Sequence, residues 1–115
     1  MELDVFEMEG LTIIDVEGKL NFPDVCNSFK KQVSDVIDGG QKNVIINLEN
    51  LTFVSSLGLS ALVHLFKYAS SKGGFIKLAG IDPKMYKLFK ITSLTNIFTI
   101  YESIQEALDD FKSNL

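Results

Sequence analysis

Apolar and polar positions change period several times along the chain, and each change marks an element. Leu3-Asp4-Val5-Phe6-Glu7-Met8 and Leu11-Thr12-Ile13-Ile14-Asp15-Val16 are short segments of strand-like composition. Glu9-Gly10 between them supplies the tight turn that joins two strands as a hairpin. Glu17-Gly18 reads as a second turn. The period then lengthens: Val25, Phe29, Val33, Val36 and Ile37 recur at helical spacing. Asn21 is placed to cap that helix, Pro23 lies in its first turn, and Asp24 suits the positive end of the dipole. Gly39-Gly40 ends it.

Val44-Ile45-Ile46-Asn47-Leu48 scarcely alternates, which is the pattern of a strand covered on both faces in a parallel sheet. After a loop, a second helix begins at Ser56, with Leu59, Leu62, Val63, Phe66 and Ala69 as its inward stripe and Gly73-Gly74 as its stop. Phe75–Ala79 is a further strand. Asp82-Pro83 opens a short third helix through Met85, Leu88 and Phe89, and Ile97–Tyr101 reads as the last strand. Ser103 and Glu106 form a capping box for a final helix that buries Ile104, Ala107, Leu108 and Phe111. Strands alternating with helices predict an α/β layered domain around a mostly parallel sheet, opened by an antiparallel hairpin.

Composition narrows the function more than the fold. A chain of 115 residues, 46% hydrophobic and 23% charged, is the size of one domain and builds its own core without a metal or disulfide staple. The formal charge of −4 repels a phosphate backbone, so no direct nucleic-acid partner is expected. One cysteine, Cys26, permits no internal disulfide, and together with one histidine it permits no His/Cys metal site. Carboxylates at metal-ligand spacing are absent as well, so neither metal nor cofactor is expected. Residues 1–20 carry Glu2, Asp4, Glu7 and Glu9 with no apolar signal core, and no apolar run reaches about 20 residues. The expectation is a cytoplasmic domain with no membrane partner; the oligomeric state stays open.

Catalytic motifs are missing. There is no G-x-S-x-G elbow, P-loop or G-x-G-x-x-G, and the glycine pairs end helices rather than begin them. Glu49 follows the central strand where a receiver domain would place an aspartate. His64 falls on the polar face of the second helix, away from any nucleophile–base pair in the sequence. No enzyme is expected.

The informative segment is Asn50-Leu51-Thr52-Phe53-Val54-Ser55-Ser56-Leu57-Gly58-Leu59, which links the buried strand to the second helix. Partners of open α/β sheets bind at the carboxyl ends of parallel strands, where this segment lies. Two readings of Ser56 use the same geometry. As a helix cap its hydroxyl accepts a backbone N–H, worth about 1 kcal/mol against alanine. As a switch it offers a position where the helix dipole and free amides tolerate a phosphate. Gly58, lacking a side chain, leaves room for a partner or a nucleotide phosphate. Leu57 lies about 160° round the helix from Leu59, on one side with Ser60, Ala61, His64 and Tyr68, and that mixed face is a candidate docking surface.

Thr52-Phe53-Val54-Ser55-Ser56-Leu57-Gly58-Leu59 resembles the signature of the anti-sigma-factor antagonists, the STAS domain family. The likeness continues in order through Glu17-Gly18-Lys19-Leu20-Asn21 upstream, then Gly73-Gly74, Gly80-Ile81-Asp82-Pro83 and Ile97–Tyr101 before Ser103 and Glu106-Ala107-Leu108. It implies one STAS domain over 1–115, a mixed, mostly parallel sheet packed against four helices. By the resemblance, Ser56 is the phosphorylation site, and Asn21, Ser55, Leu57, Gly58, Ser60, Ala61 and His64 belong to the partner-binding region. The implied partners are an anti-sigma factor that is also a serine kinase, and a serine phosphatase. The unphosphorylated form binds the kinase and frees the sigma factor; phosphorylation ends binding. Ser55 stands where many members carry Asp, Leu57 where a small or hydroxylated residue is usual, and Asn21 replaces a frequent Asp. Two other readings stand beside this one: a STAS-type domain that binds a nucleotide or a signalling complex, and an enzyme with Ser55 or Ser56 as nucleophile.

Overall fold

Element order in the computed structural model, which describes residues 2–115, follows the alternation of periods. Strands β1 (Glu2–Met8) and β2 (Leu11–Leu20) form the antiparallel hairpin, turned by Glu9 and Gly10, both at positive φ. Helix α1 (Pro23–Asp38) follows, then β3 (Asn43–Asn47), β4 (Leu51–Val54), α2 (Ser56–Ser71) and β5 (Phe75–Ala79). Helix α3 (Pro83–Ile91), a 3₁₀ turn (Leu94–Asn96), β6 (Ile100–Tyr101) and α4 (Ile104–Ser113) complete the chain.

The sheet runs β1-β2-β3-β5-β6, with β4 paired to the far end of β2. All pairings except β1–β2 are parallel. Alternation along the central strands divides the core in two. Ile14, Val16, Val44, Ile46, Ile76 and Leu78 face the layer of α1, α2 and α3. Leu11, Ile13, Ile45 and Ala79 face Ala107 and Leu108 of α4 on the opposite side. The unalternating β3 is therefore apolar because both its faces are covered.

Several local expectations give way. Glu17-Gly18 is not a turn but part of β2, and a bulge between Gly18 and Lys19 swings the strand's end onto β4. The segment read as a loop contains β4, whose buried positions Leu51 and Val54 flank exposed Thr52 and Phe53. Asn21 does not cap α1: the N-cap is Phe22, with no side-chain cap bond, and Pro23 supplies the preset first helical residue. Asn21 Oδ1 instead accepts the Phe22 N–H at 2.8 Å. The last strand shortens to Ile100–Tyr101, because Leu94–Asn96 closes a 3₁₀ turn that drops Leu94 and Phe98 into the core. In the capping box Ser103 accepts the Glu106 N–H as expected, but the Glu106 carboxylate reaches the Glu102 N–H rather than that of Ser103.

Candidate functional site

β4 delivers the chain to the start of α2 beside the end of β2. Register pairs Lys19 with Phe53 and Leu20 with Val54, and the Ser55 N–H continues the ladder onto the Leu20 carbonyl at 2.8 Å. Ser55, not Ser56, is the cap. Its backbone is extended, its Oγ accepts the Gly58 N–H at 3.3 Å, and its hydroxyl donates to the Asn21 carbonyl at 3.0 Å. One hydroxyl thus caps α2 and pins it to the β2–α1 corner.

Ser56 is relieved of that duty. It is the first helical residue, is exposed, and makes no side-chain hydrogen bond to any described residue. Ser55 carbonyl and hydroxyl engage the Leu59 and Gly58 amides, which leaves the Ser56 and Leu57 N–H groups as open donors of the first turn. The exposed hydroxyl therefore sits at the positive end of a sixteen-residue helix with no acidic side chain in its first turn.

The segments that meet at the start of α2 each expose a large apolar side chain. Phe22 is 64% exposed, Phe53 49% and Leu57 47%. The bonds from Ser55 to Leu20 and Asn21 gather the three segments that carry them. Neither Phe22 nor Phe53 is among the partner-binding residues expected from the sequence, although Phe53 lies within the signature segment. Phe22 sits where helix capping drew attention to polar neighbours, and Phe53 belongs to a strand with no alternation. A cleft of about 220 Å³ adjoins Phe53 between β4 and α3, lined by Thr52, Phe53, Asp82, Lys84 and Leu88 among others.

The remaining candidates separate. Ser60 and His64 are exposed on α2, His64 stacks on Tyr68 at 6.5 Å, and Tyr68 donates to Asp38 of α1. Ala61 does not share that face: it is 2% exposed and belongs to the core. Leu65 is fully buried in the stripe, whereas Val63 and Phe66 are half-buried at its margin. Gly58 is also inward. A Cβ there would lie 2.7 Å from the Leu20 carbonyl oxygen and 2.7 Å from Val54 Cγ2. Its missing side chain lets α2 close on β2 and β4, and does not open a path for an outside phosphate. Asn21 is half-buried and meets the site through its backbone carbonyl.

The site holds few groups of catalytic type. Ser56 and His64 lie eight positions apart on one helix, about 12 Å of axial rise, so the chain's one histidine is no base for that hydroxyl. No group of three His, Cys, Asp or Glu with metal-binding geometry exists among the described residues. Nor is any described helix long and apolar enough to cross a membrane. Burial raises the Cys26 thiol above its ordinary range, so the one cysteine is a core residue of low reactivity.

Comparison with known proteins decides the family, since the model of the STAS domain matches residues 2–107. The chain belongs to the STAS domain family. Among curated STAS relatives, the anti-sigma-B factor antagonist of Bacillus subtilis strain 168 is 34% identical over 100 residues, spanning 87% of this chain and 90% of that one. The crystal structure of the Thermotoga maritima protein TM1081 superposes with a TM-score of 0.86 at 27% identity, covering 94% of this chain and 92% of that one. The anti-sigma factor antagonist SpoIIAA shares the fold in its unphosphorylated form at 18% identity and a TM-score of 0.73, over 99% of this chain and 100% of that one. Its phosphorylated form, from Bacillus, scores 0.71 at 20% identity, over 96% and 99%. The STAS fold of this chain is thus alike to both states of one relative.

Proposed function

We propose that this STAS domain, taken as the whole of 1–115, is an anti-sigma factor antagonist with Ser56 as its phosphorylation switch. In the unphosphorylated state it binds an anti-sigma factor that is also a serine kinase, and so frees the sigma factor. Phosphate placed on Ser56 by that kinase ends the complex, and a serine phosphatase restores it. The domain binds in the cytoplasm and catalyses nothing itself. The single observation that carries this reading is the division of labour at the helix start: Ser55 holds the fold together, while the neighbouring hydroxyl is exposed and unengaged.

The apolar rim of Phe22, Phe53 and Leu57 supplies the contact area, and Ser60 and His64 extend it along α2. Phosphorylation adds about −1.5 to −2 charges at the helix start that carries this rim. Within the domain the α2 dipole and the open amides offset it, by about 0.3–1 kcal/mol. Inside an interface fitted to a bare hydroxyl, an unpaired dianion loses its water at a cost on the order of several kcal/mol. About 2.8 kcal/mol is a hundredfold in affinity, so loss of binding needs no refolding.

The test is intact-mass analysis after incubation with ATP and candidate serine kinases from the same genome, followed by mapping of the added phosphate. The reading expects one phosphate on Ser56, none in Ser56→Ala, and its removal by a serine phosphatase. A single phosphate mapped to Ser55 in the wild-type chain would overturn it, because that hydroxyl is the structural cap.

A further inference from the structure

A second surface, on the far flank of α3, has a different chemistry. Helix α3 carries Lys84, Lys87 and Lys90 and no acidic residue between Pro83 and Ile91, in a chain whose formal charge is −4. None of the three lysines has an ion-pair partner among the described residues. The helix dipole accounts for Lys90, in the last turn, but disfavours Lys84, which sits in the first. Met85 and Phe89 turn into the core, and the outer face presents Tyr86, Lys87, Lys90 and Ile91, the last 76% exposed.

Beside this face runs an open groove of about 610 Å³ between α3 and β6. Ile81, Pro83, Ile100 and Tyr101 give it an apolar floor, and Tyr86, Lys87 and Lys90 form its wall. Glu102 is the one carboxylate in the lining. Tyr101 Oη donates to Asp110 of α4 at 2.5 Å, which fixes the ring as a platform. β6 pairs only with β5, so the groove lies at a free edge of the sheet.

Two features of this groove choose its occupant. Lys87 and Lys90 stand without ion-pair partners on one wall above an apolar floor, whereas Lys84 lines the cleft beside Phe53 on the other flank of α3. A small ligand is normally enclosed over about 70–90% of its surface, which a groove open along its length does not do. An extended chain of acidic residues satisfies the charge, and one bulky side chain satisfies the floor. We infer that the groove between α3 and β6 docks an acidic segment of a partner protein, seating a large apolar side chain on Ile81, Ile100 and Tyr101 while its carboxylates meet Lys87 and Lys90. Phe22 and Leu57 take no part in it, so this surface works whatever the state of Ser56.

The test is an NMR titration of the isotope-labelled intact chain with three probes: the peptide Gly-Glu-Asp-Phe-Glu-Glu-Leu-Asp-Gly, the same peptide with lysine for every acid, and dodecanoate. The acidic peptide is expected to shift amide resonances of residues 81–90 and 100–102, less at high salt. Its affinity falls about tenfold or more in K87E/K90E and by a smaller factor in the neutral K87Q/K90Q. Both variants keep the wild-type melting temperature, and S56A binds the peptide as the wild type does. Absence of localised shifts up to millimolar acidic peptide, or equal shifts from the lysine peptide, overturns the inference. Shifts from dodecanoate alone overturn it too, and give the groove to a small amphipathic anion.

Discussion

Truncating the two adjacent serines in turn separates the cap from the switch. In Ser55→Ala, the Gly58 N–H loses its acceptor and the Asn21 carbonyl loses its donor, contacts of 3.3 and 3.0 Å in the intact site. The cap is worth about 1 kcal/mol and a second hydrogen bond about 0.5–1.5 kcal/mol. Ser55 is half-buried, so water partly replaces both, and the net loss is about 1–2 kcal/mol. At this chain length each kcal/mol corresponds to about 4 °C in Tm, so Ser55→Ala melts about 4–8 °C below wild type. Ser56→Ala removes an exposed hydroxyl with no partner and stays within about 0.5 kcal/mol, or about 2 °C. Urea unfolding followed by far-UV circular dichroism, with a common m-value, checks both. Equal destabilisation by the two substitutions, or a larger loss in Ser56→Ala, refutes the assignment of the cap to Ser55.

Three further outcomes follow from the geometry. Gly58→Ala gains about 1 kcal/mol of helix propensity but pushes a methyl against the Leu20 carbonyl, which cannot rotate away; overpacking of about 1–3 kcal/mol wins, and the variant unfolds at lower urea than wild type. Burial first, then the bond to Asp110, raises the Tyr101 phenol from 10.0 to about 12, so the folded state holds its proton more tightly than the unfolded chain. That stability is complete below about pH 10 and is lost as pH rises toward about 12, so over this range the Tm of wild type falls more steeply than that of Tyr101→Phe. Phe22→Ala and Phe53→Ala leave the Tm nearly unchanged but weaken kinase binding, measured by calorimetry, by more than tenfold each, about 1.4 kcal/mol or more.

Much of this architecture was legible in the chain because its signals are local. The Glu9-Gly10 hairpin, the unalternating β3 and the Asp82 and Ser103 caps each follow from a few neighbouring residues. What was hidden depends on distant partners. β4 is only four residues long, and its buried positions are the first and last, so no two-residue period betrays it. Gly18 looks like a turn until β4 is known to draw the end of β2 into a bulge. Helix α2 is packed against both α1 and the sheet and is apolar on several sides, so its wheel did not choose between Ala61 and Val63, or between Leu65 and Phe66. At the site, two consecutive serines offered the same cap chemistry. The choice of Ser55 rests on the Asn21 carbonyl, thirty-four positions away, which only the folded corner brings within reach.

The central claim is that a charge on one exposed hydroxyl abolishes docking while the fold stays intact. Isothermal titration of the cognate kinase into wild type, Ser56→Ala and Ser56→Asp, each first shown to melt within about 2 °C of the others, tests it most directly. The account predicts wild-type affinity for Ser56→Ala, insensitive to ATP, and at least about a hundredfold weaker binding for Ser56→Asp. Equal affinity of the alanine and aspartate variants for the kinase would contradict it.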